Sequence, residues 1–284
     1  MSVVTGLAQM NRCNTNIPAV ALAGAVLILL GFGHRAQADS FPNSLWIGTD
    51  DNSSLHVFNV DRSGVLLRDA GAGGSVGFAI DLDANTIYFG NGGATSGNLT
   101  PRNLDTLAAG SSVSLTPSIS WEDMTFDGSR IWRANAFTPD RGIYRINPSS
   151  GAVEFSFDPG FNPVGVAWDG SDLWVSEFTT GGKVAKFTTA GVEVPGTAFN
   201  PVLGGGQVGG LAFDTTDNTL WIGTFTNVYH YTTGGTELGH FAVAVADGRF
   251  VDGLEFQGVP EPASLTLLGS GLLGWLALKR RRRQ

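Results

Sequence analysis

Five segments of this chain repeat one pattern: an apolar strand, a tight turn, then a second strand centred on an aromatic residue. They read FAIDLDANTIYFG (78–90), MTFDGSRIWRA (124–134), VAWDGSDLWVS (166–176), LAFDTTDNTLWIG (211–223) and LEFQG (254–258), where the last breaks off. The aligned positions are Asp81, Asp127, Asp169, Asp214 and Gln257, separated by 46, 42, 45 and 43 residues. A period of about 40–45 residues with four strands per unit marks a β-propeller.

The remainder of each unit agrees. A third alternating strand follows the aromatic one, as in LHVFNV (55–60), GIYRIN (142–147), KVAKFT (183–188) and NVYHYT (227–232). Turns rich in Gly, Asn and Ser come next, then a weaker fourth strand such as VEFSF (153–157). The second unit fits least well, because 96–111 carries Pro101 and a longer loop. The first unit begins at FPNSLWIGTDD (41–51), a second strand with no first strand ahead of it. The last, VDGLEF (251–256), is a first strand with no second strand after it. Together they complete one blade, so the expected fold is all-β: a five-bladed β-propeller over 39–258, closed by pairing of the C-terminal strand with the N-terminal blade. Such closure leaves no free sheet edge around the ring.

Composition narrows the partners. Residues 39–258 hold 10 Lys and Arg against 24 Asp and Glu, a net charge of −14. That surface repels nucleic acid and anionic lipid. It accepts Ca²⁺, neutral sugars, or simply water. The lone cysteine, Cys13, precedes the first apolar run, so disulfides contribute nothing to the domain.

Both ends carry addresses. IPAVALAGAVLILLGF (17–32), preceded by Arg12 and followed by Ala36-Gln37-Ala38, has the form of a secretory signal peptide over 1–38. Cleavage after Ala38 leaves Asp39 as the new N-terminus. At the far end, the fourteen apolar residues 265–278 are short for a membrane span, which takes about 20. Lys279 to Arg283 would hold that end in the cytoplasm. The segment is expected to be a short transmembrane helix that pauses the chain for processing, with a lasting anchor as the alternative.

Val259-Pro260-Glu261-Pro262, then an apolar stretch, then an arginine cluster resembles the PEP-CTERM sorting signal over the last 26 residues, 259–284. The resemblance implies a membrane sorting protease, the exosortase, as partner, with cleavage near Pro260, Glu261 and Pro262. It further implies a membrane-tethered intermediate, display on the surface of a Gram-negative bacterium or in its matrix, and association with exopolysaccharide.

Each candidate site also has a plain packing reading. Trp46, Tyr88, Trp132, Trp174 and Trp221 occupy one place in each second strand. They can stack sugars or fill the space between blades, and apolar strand neighbours such as Leu-Trp-Ile favour filling. Trp168 is expected to pack likewise, whereas Trp121 lies in a loop beside two acids. First strands line the channel of a propeller, and ligands commonly sit where those strands begin. The positions there are Ser75, Glu122, Asp123, Asn162, Gln207, Arg249 and Asp252. Glu122, Asp123, Asn162, Gln207 and Asp252, with Trp121, form the expected ligand face. Their oxygens suit a hard cation such as Ca²⁺, although no EF-hand-like loop occurs and a hydrated mouth explains them equally. Arg130, Arg133, Arg141 and Arg145 are expected to pair with the excess acids.

Catalytic patterns fail on context. Gly73-Gly74-Ser75-Val76-Gly77 fits G-x-S-x-G and Gly204-Gly205-Gly206-Gln207-Val208-Gly209 fits G-x-G-x-x-G, but each leads into a strand rather than a helix. His56, His230 and His240 share no metal-ligand spacing. Residues 163–191 are similar to the repeat of streptogramin lyases and related extracellular propellers. That family implies seven blades and a channel histidine with a metal, and this chain offers neither. The expected protein is therefore a non-catalytic binding or structural module needing no cofactor. The alternatives are a hydrolase or lyase using Glu122, Asp123 or Asp252, and a protein-interaction scaffold.

Overall fold

The computed structural model describes residues 41–50, 56–72, 77–90, 97–118, 122–243 and 250–258. It is a five-bladed β-propeller. The signal peptide, the transmembrane segment and the cleavage residues Ala38, Asp39, Pro260, Glu261 and Pro262 lie outside the described residues, as do Ser75, Trp121 and Arg249. Among the described residues no helix is long and apolar enough to cross a membrane.

Blade 1 takes its inner strand from the end of the chain: β19 (Phe250–Gln257) pairs antiparallel with β1 (Ser44–Asp50), followed outward by β2 (His56–Asp61) and β3 (Leu66–Ala72). Blade 2 runs β4 (Phe78–Asp81), β5 (Thr86–Gly90), β6 (Asn98–Asn103) and β7 (Val113–Ser114). Blade 3 runs β8 (Met124–Phe126), β9 (Ile131–Asn135), β10 (Gly142–Ile146) and β11 (Val153–Phe157). Blade 4 has three strands, β12 (Pro163–Trp168), β13 (Leu173–Glu177) and β14 (Val184–Phe187). Blade 5 runs β15 (Leu211–Asp214), β16 (Thr219–Gly223), β17 (Asn227–Thr232) and β18 (Glu237–Ala242).

Two departures from an even repeat have local causes. Blade 4 replaces its fourth strand with isolated bridges, Val184 to Phe199 and Phe187 to Glu193. That segment contains Pro195 and Pro201, which lack the N–H a ladder needs. In blade 2, Pro101 sits inside β6, where β7 reaches only Asn98 and Leu99; on its outer side Pro101 still accepts the Gly110 amide through its carbonyl oxygen, at 2.8 Å.

The core is five seams rather than one ball. Trp46 packs with Phe78, Ile87 and Phe89 of the next blade, Trp132 with Val166 and Val175, and Trp174 with Leu211 and Leu220. Trp221 joins Leu45, Ile47, Val251 and Leu254. Tyr88 lies, half-buried, against Met124 and Ile131. The aromatic of each second strand thus fills the wedge between neighbouring blades.

Candidate functional site

The repeat aspartate does two jobs. In Asp127, one carboxylate oxygen accepts the amides of Ser129 and Arg130 and closes the turn; the other accepts the Trp132 indole N–H at 2.7 Å. Asp169 does the same with Ser171, Asp172 and, at 3.0 Å, Trp174. Asp214 holds Thr216 and Trp221, and Gln257 Oε1 accepts from Trp46 across the join of the two chain ends at 2.9 Å. These residues are structural fasteners, tying inner strand to second strand in four blades.

Four residues before each of them, the inner strands carry Gly77, Asp123, Gly165, Gly210 and Gly253. Here the strands crowd the axis. A Cβ on Gly77 would lie 2.7 Å from the Asp123 Cα, and one on Gly210 would lie 2.7 Å from the Asp252 carbonyl oxygen. The single acid in this ring fills the space the glycines leave. Asp123 has no exposed surface. Its Oδ1 accepts the amides of Met124 and Leu254, at 2.9 and 3.2 Å, and its Oδ2 those of Leu211 and Val166, at 2.8 and 3.3 Å. One carboxylate thereby binds strands from four blades.

This placement removes Asp123 from the expected ligand face, because both of its oxygens are occupied inside the axis. Glu122 is half-buried, Asn162 exposed, Gln207 half-buried and Asp252 buried within β19. Among the described residues no group of three or more His, Cys, Asp or Glu side chains gathers as a metal centre would require. The glycines of 204–210 do not cradle a phosphate. Gly204 and Gly205 turn the chain with positive φ, and a Cβ on Gly209 would lie 2.1 Å from the Val251 carbonyl oxygen.

At the other mouth, where the inner strands end, the axis opens into a funnel of about 840 Å³. All five blades line it. Just before the repeat Asp or Gln stand Ile80, Phe126, Trp168, Phe213 and Phe256, and all five face this space. One residue earlier the column reads Ala79, Thr125, Ala167, Ala212 and Glu255. Glu255, only 8% exposed, thus replaces a small residue and lines the funnel together with Thr125. The two non-alanine members meet: Thr125 Oγ1 donates to Glu255 Oε1 at 3.3 Å and accepts the Trp168 amide. The lining includes Asp81, Asp83 and Asp127 as well and, among the described residues, no Lys, Arg or His.

Burial pushes the pKa of Asp123 well above the usual carboxylate range, opposed by its four amide donors. Burial also raises Glu255 well above its ordinary value; the nearby Asp123 charge adds to this, while Thr125 and the Ile80 amide oppose it.

Arg130 pairs with Glu154 at 2.6 Å and Arg141 with Asp158, whereas Arg133 is buried in β9. His56 meets Asp69 at 2.6 Å, His230 stacks on Trp221 with ring centres 3.9 Å apart, and His240 meets Glu237 at 2.8 Å. Sequence reasoning missed Glu255 and the funnel side of Trp168. The signal was present in the column of small residues that a single Glu interrupts.

Residues 258–283 match the PEP-CTERM protein-sorting motif. The tail is a PEP-CTERM sorting motif. It begins at Gly258, directly after β19 and on the lining of the funnel. The motif implies an exported protein that passes through a membrane-anchored intermediate before surface display. No curated protein matches the chain. Among solved structures, one described as a nidogen/laminin complex is 13% identical with a TM-score of 0.51, covering 75% of this chain and 97% of that one. A protein of unknown function from Bacteroides caccae is 11% identical with a TM-score of 0.50, covering 75% of this chain and 98% of that one. At these identities the likeness speaks for the fold alone.

Proposed function

We propose that this PEP-CTERM protein is a non-catalytic binding module of the cell surface or extracellular matrix, holding exopolysaccharide in the funnel at the trailing ends of its inner strands. The observation that carries this is the funnel itself. Five blades converge on it, its volume of about 840 Å³ falls in the range of ligand pockets, and four of its blades bring an aromatic side chain to the wall, Phe126, Trp168, Phe213 and Phe256. A carbohydrate face stacks on such a wall. Enzymatic alternatives draw less support, because Asp123 is sealed in the axis and a carboxylate without exposed surface cannot reach a substrate.

The same proposal includes delivery by the signal peptide over 1–38, tethering through 265–278, trimming by an exosortase-like protease, and closure of the ring by β19. Full-length protein in mild detergent is expected to bind the exopolysaccharide of its own host saturably. Trp168→Ala is expected to weaken that binding at least tenfold while leaving the unfolding midpoint within reach of the parent. Binding that Trp168→Ala leaves unchanged would place the ligand elsewhere, and turnover of the polymer would replace the module with an enzyme.

A further inference from the structure

Glu255 is an expensive residue in a place where its counterparts are cheap. In the other four blades the position is Ala79, Thr125, Ala167 or Ala212, so the repeat itself shows that the fold needs only a small side chain there. A buried carboxyl costs several kcal/mol unless something compensates it, and among the described residues no cation pairs with this one. Among the described residues its carboxyl meets the Thr125 hydroxyl, at 3.3 Å, and the Ile80 amide. Such a group facing a cavity is more readily explained by what it meets in the bound state than by folding.

The chemistry around it restricts the ligand. Among the described residues four carboxyl side chains and no cationic one line the funnel, a lining that disfavours uronates, sulfates and phosphates. Asp127 spends both oxygens on its turn and on Trp132, which leaves Glu255 as the buried acid placed for direct contact. Phe126, Trp168, Phe213 and Phe256 supply π faces, which attract both the apolar face of a sugar ring and an ammonium group. A lysine side chain would present its charge on a narrow stem and leave most of the funnel unfilled. A pyranose bearing a free amine presents a ring and a charge together.

We infer that the funnel recognises amino-sugar units with a free ammonium group, the ammonium seated at Glu255 beside Thr125 and the ring stacked on the aromatic wall. This rests on the funnel being the binding face. It makes the ligand a de-N-acetylated hexosamine polymer rather than a neutral or acidic one, and the surplus of 24 acids over 10 bases in residues 39–258 adds long-range attraction for such a polycation.

The test is calorimetric titration of the full-length protein in mild detergent with tetraglucosamine, its fully N-acetylated counterpart, and tetralysine. Tetraglucosamine is expected to bind at least tenfold more tightly than either of the others. Glu255→Gln is expected to erase the preference between the amine and the acetylated form, and Trp168→Ala to weaken both saccharides. Glu255→Gln removes a buried acid, so it is expected to unfold at a denaturant concentration no lower than the parent, which separates loss of recognition from loss of fold. Equal binding of the two saccharides, both sensitive to Trp168→Ala, would overturn the ammonium assignment and leave the funnel standing. Tetralysine binding as tightly as tetraglucosamine would overturn the saccharide in favour of a basic peptide. Binding of neither saccharide would overturn the ammonium assignment, and insensitivity of host-polymer binding to Trp168→Ala would overturn the funnel.

Discussion

Asp123 shows how much one residue can organise in a repeat protein. Four inner strands bring glycine to the axis and the fifth brings a carboxylate, whose two oxygens collect four backbone amides. Replacing it with alanine would leave those amides facing a space with no acceptor. Each unsatisfied buried donor costs about 1–3 kcal/mol, and relief of the carboxylate's own desolvation offsets part of the sum. Asp123→Ala is therefore expected to lose about 3–5 kcal/mol of stability, the range seen when one side of a buried charged network is removed. Urea unfolding followed by tryptophan fluorescence measures it. A midpoint equal to the parent's would mean that the amides find other partners and that the axis is not pinned by this residue.

At the scale of the element, the strands were legible in the sequence and their fasteners were not. Alternation and turn residues place β11 at 153–157 and β17 at 227–232, as the structure has them. Burial of Trp46, Trp132, Trp174 and Trp221 at 3% exposure or less agrees with the packing role that their apolar neighbours suggest. Their bonds to Asp127, Asp169, Asp214 and Gln257 were hidden, because the residue gap changes with turn length: five in 127–132, seven in 214–221. The ligand face expected at the leading ends of the inner strands rested on residue type alone. Sequence cannot show that Asp123 turns inward, since that depends on glycines in the four other blades making room.

The strand that matters most to the ring is β19. It supplies the inner strand of blade 1, and its Val251, Leu254 and Phe256 enter the seam shared by Trp221, Leu45 and Ile47. A chain ending at residue 249 loses that ladder, the Trp46 to Gln257 bond and one Asp123 contact at once. It is expected to lose its cooperative unfolding transition, and a synthetic peptide of residues 250–258 is expected to restore part of it in trans. Cooperative unfolding of the truncated chain at the parental midpoint would show that blade 1 does not need its last strand.

For the whole molecule, the two ends change the electrostatics more than their length suggests. The complete chain carries a net charge of −8, but the ends hold seven of its 17 Lys and Arg and one of its 25 Asp and Glu. Trimming to residues 39–258 therefore deepens the charge to −14. While the basic tail is attached, the chain carries five further cations, Lys279 to Arg283, in the segment that follows Gly258 in sequence. A polycationic ligand and that tail would compete for the same field, so trimming both frees the protein and strengthens its attraction for a cationic polymer. Intact-mass measurement on protein shed by the native host decides the first half. The expected product starts at Asp39 and lacks Arg280 to Arg283, and a shed form that keeps those arginines would refute trimming. Titration of tetraglucosamine into the shed form and the full chain at low and high salt decides the second half. The shed form is expected to bind more tightly at low salt, with the difference shrinking as salt screens both. Equal affinity at low salt would mean that the tail does not act on the funnel.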